Sequence, residues 1–187
     1  LGCVFTQHRV DEKGRPVRDW ESTTYLSSME SSDVFGPMLR HEALRRGMAY
    51  ADKTVLLIDG ALGLENLGRI NFKDATQIVD FYHAMEHAGK VLVALLGNKE
   101  HPDYKSRHRK WAKRLLKNGV ETLIADARME CAADSRTEAV EKELLYFDDN
   151  IDRMQYGTFR RNGYFIGSGV IEAGCKTVIG GRCKQSG

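Results

Sequence analysis

A continuous apolar run, Val55-Leu56-Leu57-Ile58, follows Thr54 and ends at Asp59-Gly60-Ala61. Bounded by turn formers, it predicts a strand covered on both faces. A second short apolar segment, Thr76 to Val79, predicts a strand leading into a helix over Tyr82 to Leu96, with Met85, Val91, Leu92 and Leu95 inward. Upstream, Gly2 to Gln7 and Thr23 to Leu26 read as strands around a Lys13-Gly14-Arg15-Pro16 turn, and Asp33 to Arg46 as a helix stopped by Gly47. Downstream the pattern is helical: helices over about 104–117 and 121–148, an irregular stretch from Tyr156 to Gly167, then a last helix with Ile166, Val170, Ile171, Cys175 and Val178 on its apolar face. There are no internal repeats. The order of strands, helix, strand and helices predicts a mixed α/β sheet flanked by helices.

Composition narrows the class. A chain of 187 residues with 42% hydrophobic content can bury one domain core. No apolar run approaches the roughly 18–20 residues that span a bilayer and no secretory signal opens the chain, so the expected location is cytoplasmic, with no membrane partner. Cys3, Cys131, Cys175 and Cys183 lack CxxC spacing, which favours reduced packing thiols.

The net charge of +2 does not itself predict nucleic-acid binding, but the charges are segregated. Lys99, Lys105, Arg107, Arg109, Lys110, Lys113, Arg114 and Lys117 crowd one segment, with Trp111, Leu115 and Leu116 as anchors. Two readings are open: a helix contacting phosphates, or a solvated face paired with the acidic segment that follows, from Glu121 through Asp126, Glu130, Asp134, Glu138 and Glu141 to Glu143. Arg160, Arg161, Lys176, Arg182 and Lys184, near the last helix, are the better DNA-binding candidates.

Three acidic motifs carry candidate chemistry. In Gly167-Ser168-Gly169-Val170-Ile171-Glu172, a glycine-rich turn delivers Glu172 into the first turn of a helix, where free N–H groups and the macrodipole favour a carboxylate. That placement suits a metal ligand; the competing role is an i,i+4 pair with Lys176. Asp59 ends a buried strand, where α/β sheets place ligands, unless Asp59-Gly60 is simply a turn. Asp80 can cap the helix that holds His83 and His87, whose spacing zinc ligands also use, although no Cys or His pair elsewhere completes such a site.

Together these motifs resemble the catalytic domain of bacterial insertion-sequence transposases of the DDE type, in the Kra-named group related to the Mutator-like lineage. The resemblance also rests on Leu1-Gly2-Cys3-Val4-Phe5-Thr6-Gln7, on Gly14-Arg15-Pro16-Val17-Arg18-Asp19 with Ser22-Thr23-Thr24-Tyr25, on Asp80-Phe81-Tyr82-His83-Ala84 and on Gly180-Gly181-Arg182-Cys183-Lys184-Gln185-Ser186-Gly187, so it covers nearly the whole chain. It implies an RNase H-like fold in which three acidic residues bind two magnesium (or manganese) ions to cleave and join DNA strands.

Asp59 matches the second acid, Glu172 the third, and Asp80 and His83 the supporting signature after the second acid. A largely helical insertion is implied between the two acids. The expected divisions are an RNase H-like core part at 1–97, a helical insertion at 98–160 and the segment bearing the catalytic Glu at 161–187. The first strand and its aspartate are expected upstream of Leu1, which makes the chain a fragment of the enzyme, inactive alone. Asp11 and Asp19 are weak substitutes, Asp11 lying in what reads as an exposed hairpin turn. Ser168 lacks a partner base for nucleophilic chemistry.

The expected partners are element-end and target DNA within a homo-oligomeric complex. The competing functions are a catalytically dead remnant that binds DNA or assembles with intact enzyme, and an RNase H-like structure-specific nuclease.

Overall fold

The computed structural model describes residues 1–132 and 136–169. Within them the chain is mixed α/β. Strands β1 (Gly2–Val4) and β4 (Thr24–Leu26) pair antiparallel, while β2 (Gln7–Val10) and β3 (Pro16–Arg18) form a hairpin whose register shifts between Gln7 and Arg9. The hairpin tip is closed by Asp11, whose Oδ1 accepts from the Lys13 and Arg15 N–H groups at 2.9 and 2.8 Å. These bonds, with the Arg15 guanidinium, hold the Asp11 carboxyl below the usual range. Asp11 is therefore a turn residue.

Helix α1 (Ser32–Arg45) runs to Gly47 at φ 89°, where a left-handed residue ends the helix as its sequence predicts. Strands β5 (Val55–Ile58) and β6 (Thr76–Val79) then pair in parallel, with Ile58 opposite Val79. The crossover is helix α2 (Leu62–Asn71), which the sequence pattern does not announce. Gly63 and Gly68 weaken its helical signal, yet Gly68 is required where α2 crosses β5. A Cβ there would lie 2.7 Å from Leu56 Cδ2 and 2.9 Å from Gln77 Cδ.

Beyond β6 come α3 (Phe81–Leu96), α4 (Tyr104–Leu115), α5 (Val120–Cys131), α6 (Thr137–Asp148) and α7 (Tyr156–Arg161). The helix expected over 121–148 is thus two helices, α5 and α6. Arg128 of α5 donates to both Glu141 and Asp148 of α6, clasping the two together. The stretch expected to be irregular from Tyr156 contains α7, whose Tyr156, Gly157 and Phe159 are buried.

β5 separates two cores. Val55 and Leu57 pack with the interior of α3 to α7, where Ile78, Leu92, Leu115, Leu123, Leu144 and Phe147 are fully buried. Leu56 points the other way, onto Leu39, Ala43, Leu67 and Phe72 of the cluster built by α1 and α2. Both faces of β5 are packed against, in line with its apolar run, but Val55, Leu56 and Leu57 are only half-buried and Ile58 alone of the strand is buried. Only one of its edges is paired: among the described residues the only strand hydrogen-bonded to β5 is β6, and the described strands form three two-stranded sheets rather than one continuous sheet.

Candidate functional site at the strand ends

The parallel register sets Asp59 and Asp80 side by side immediately beyond the carboxyl ends of β5 and β6, with the Asp80 N–H donating to the Ile58 carbonyl at 2.7 Å. The two carboxylates play different parts. Asp59 Oδ1 accepts from the Ala61 N–H at 2.8 Å, shaping the turn into α2. The turn needs Gly60 twice over, because its φ is 85° and a Cβ would fall 2.8 Å from the Tyr146 hydroxyl. Asp59 Oδ2 has no hydrogen-bond partner among the described residues.

Asp80 is 1% exposed and fully engaged. Its Oδ1 accepts from the Tyr82 and His83 N–H groups at 2.7 and 3.1 Å, the N-cap that its position before an apolar helix predicts. Its Oδ2 accepts from the Ser168 N–H. One residue further on, the Phe81 N–H donates to the Ile166 carbonyl at 2.8 Å. Gly167 lies against the Tyr82 ring, where a Cβ would approach to 2.8 Å. The glycine-rich turn that precedes Glu172 is therefore fastened to the strand ends that carry Asp59. Glu172, Lys176, Arg182 and Lys184 lie outside the described residues.

Local sequence gives no sign of Tyr146. From α6 its hydroxyl donates to the Asp59 carbonyl at 2.8 Å, bridging 87 positions of chain, and its ring stacks on His87 at 3.6 Å between centroids. Burial, with the Asp59 and Asp80 carboxylates adding to it, raises the Tyr146 hydroxyl pKa and keeps it a donor. His87 is held below its ordinary pKa, first by burial and then by Lys90, while Glu143, 4.0 Å away, opposes the shift. His83 is half-exposed, with Nδ1 3.5 Å from Asp80 Oδ1 and no hydrogen-bond partner for that nitrogen.

Of the candidate metal ligands, only Asp59 offers an uncommitted carboxylate oxygen at these strand ends. Among the described residues no three His, Cys, Asp or Glu side chains are grouped to hold a metal ion. Asp59 is thus a single uncommitted carboxylate at these strand ends, and the described residues do not complete a metal-binding set around it.

The basic segment resolves into two populations. Arg107 pairs with Glu130 and Arg114 with Asp126, so these two cations are spent on holding α4 to α5, as the reading of an acid-paired face expects. Lys105, Arg109, Lys110, Lys113 and Lys117 remain exposed. Arg160 and Arg161 sit on α7 beside the β2–β3 hairpin tip. No helix among the described residues is long and apolar enough to cross a membrane.

Fold and site together define a mixed α/β chain with acidic residues gathered at the carboxyl ends of a parallel strand pair. Compared with protein-family models, with curated proteins and with solved structures, the chain matches none.

Proposed function

We propose that this chain is part of the catalytic domain of a DDE-type transposase with an RNase H-like fold, acting in metal-dependent DNA strand cleavage and strand transfer at insertion-sequence ends. In this reading Asp59 and Glu172 are ligands of a two-metal magnesium or manganese site, and the remaining aspartate comes from a strand upstream of Leu1. Two cations about 3.5–4 Å apart would stabilise the attacking and leaving oxygens of the phosphodiester. Asp80 and His83 are positioning residues, since Asp80 spends its carboxylate on three backbone N–H groups.

The observation that carries the reading is the fastening of Ile166 to Ser168 onto Phe81 and Asp80, which sets the start of the Glu172 segment beside the strand end of Asp59. The apolar run of β5, packed against on both faces yet paired on one edge only among the described residues, is further support, because such strands usually lie inside a wider sheet.

The test is nicking of a labelled element-end duplex with magnesium or manganese by the chain extended upstream through the expected aspartate. Nicking by the extended protein, lost in Asp59→Asn and in Glu172→Gln and absent from the present chain alone, is the expected result. An extended protein that binds the duplex but never nicks it indicates a dead remnant. One that cuts branched DNA without joining strands indicates a structure-specific nuclease.

A further inference from the structure

The exposed cations of α4 are not scattered. Lys105, Arg109, Lys113 and Lys117 follow one another at four-residue intervals, so they form a single inclined ridge along the helix and its last turn. At 1.5 Å per residue the ridge is about 18 Å long, enough to follow a short run of phosphates along one DNA strand. The acids that pack against α4 from α5, Asp126 and Glu130, are taken by Arg114 and Arg107, and none of the four ridge cations forms an ion pair among the described residues.

At its far end the ridge enters a groove of about 480 Å³. Lys117 meets Lys13 and Arg15 from the hairpin tip and Arg160 and Arg161 from α7 there, and no acidic side chain among the described residues lines it. Arg15 is partly neutralised by Asp11 at 2.6 Å. The groove thus gathers five of the chain's 28 Lys and Arg side chains, one of them paired with Asp11, a local excess of positive charge on a chain of net +2. The groove is also built rigidly. Asn118, in the left-handed conformation, accepts from the Gly157 and Thr158 N–H groups at 2.7 and 3.1 Å, fixing α7 against the end of α4.

We infer that the α4 ridge and the groove between α4, α7 and the β2–β3 hairpin tip form one docking track for the backbone of duplex DNA. The track is distinct from the carboxylates at the strand ends. Among the described residues Leu116 is the one large aliphatic side chain in the groove, which disfavours a lipid surface. The choice of duplex DNA over other polyanions rests on the proposed function. Contacts of this kind hold the duplex in position without reading its sequence.

The experiment is fluorescence anisotropy of this chain with a 20-base-pair duplex of arbitrary sequence from 50 to 200 mM KCl. The wild type is compared with Lys105→Gln/Arg109→Gln/Lys113→Gln on the ridge and Lys13→Gln/Lys117→Gln/Arg160→Gln in the groove. Arg40→Gln/Lys73→Gln, exposed cations on α1 and after α2, is the charge control. Each phosphate contact contributes about 0.9 to the slope of log K against log salt, so each triple variant is expected to lower the slope by about 2–3. Binding at 100 mM salt should fall at least tenfold in both triples and stay within twofold in the control. If a triple variant loses its circular-dichroism signal, Lys113→Gln alone serves, with a slope change of about 1.

Triple-variant slopes equal to wild type, or slopes lowered as much by the control, overturn the proposal. So does a wild type that binds single-stranded RNA or heparin but not the duplex. The two readings separate cleanly. A lowered slope beside an extended enzyme that never nicks keeps the track and removes the transposase reading; nicking with unaltered slopes does the reverse.

Discussion

At the scale of single residues, the strand-end site shows how position divides like groups into different roles. Asp59 and Asp80 both end apolar strands, and the sequence reading assigns the first to ligation and the second to helix capping. The cap is observed in full, and the burial and three N–H donors of Asp80 leave it no free lone pairs directed at solvent. Tyr146 and its stack on His87 escape sequence reasoning, because no local spacing relates residues on α3 and α6. That stack makes a pH prediction. Burial lowers the His87 pKa in the folded chain, so the unfolded chain takes up a proton first as pH falls below about 6.5. Stability is unaffected by this group above that value and declines as pH drops towards the lowered folded value. Lys90 reinforces the shift, while Glu143 and Glu86 moderate it. His87→Phe is expected to reduce the loss in urea midpoint between pH 7.5 and 5.5; an unchanged loss would assign the acid sensitivity to other groups.

At the scale of elements, caps and breakers were the most legible features. Thr76 to Val79, the inward face of α3 and the stop at Gly47 all stand where their residues predict them. The helix α2 does not announce itself because Gly63 and Gly68 lower its helical propensity, and Gly68 is there for close packing on β5 and β6 rather than for propensity. The division of α5 from α6 is stabilised by Arg128 across two helices, a contact that only the packing of one against the other creates. Asp80 joins elements far apart in sequence, since one carboxylate caps α3 and holds Ser168. Replacing it with alanine strands three N–H groups, and loss of a cap alone costs about 0.5–2 kcal/mol. Asp80→Ala is therefore expected to lower unfolding free energy by about 2–3 kcal/mol in urea titration. Asp80→Asn, which keeps one acceptor oxygen for the Tyr82 and His83 N–H groups, should lose about half as much. Equal losses for the two variants would show that the cap is not the source.

At the scale of the whole molecule, β5 is the shared wall of two cores, and its side chains alternate between them. The larger core depends on α6, where Val140, Leu144 and Phe147 are wholly buried. Truncating Phe147 to alanine opens a cavity expected to cost about 3–5 kcal/mol, read as a lower denaturation midpoint with an unchanged slope. A change of slope would instead mean that α6 detaches separately from the strands.

By itself the sequence determined the strands that end in Asp59 and Asp80, the cap on α3, the hairpin turn at Asp11 and the basic character of α4. Each follows from local periodicity, turn chemistry or charge, which neighbouring residues settle among themselves. The tertiary structure alone decided which of α4's cations are paired with α5 and which stay exposed as a ridge. It also placed the hydroxyl of Tyr146 on the Asp59 carbonyl, and brought Lys13, Lys117 and Arg160 to one groove. Those outcomes depend on how helices and strands separated by tens of residues pack, and packing is set by the shapes of both cores together rather than by any one segment.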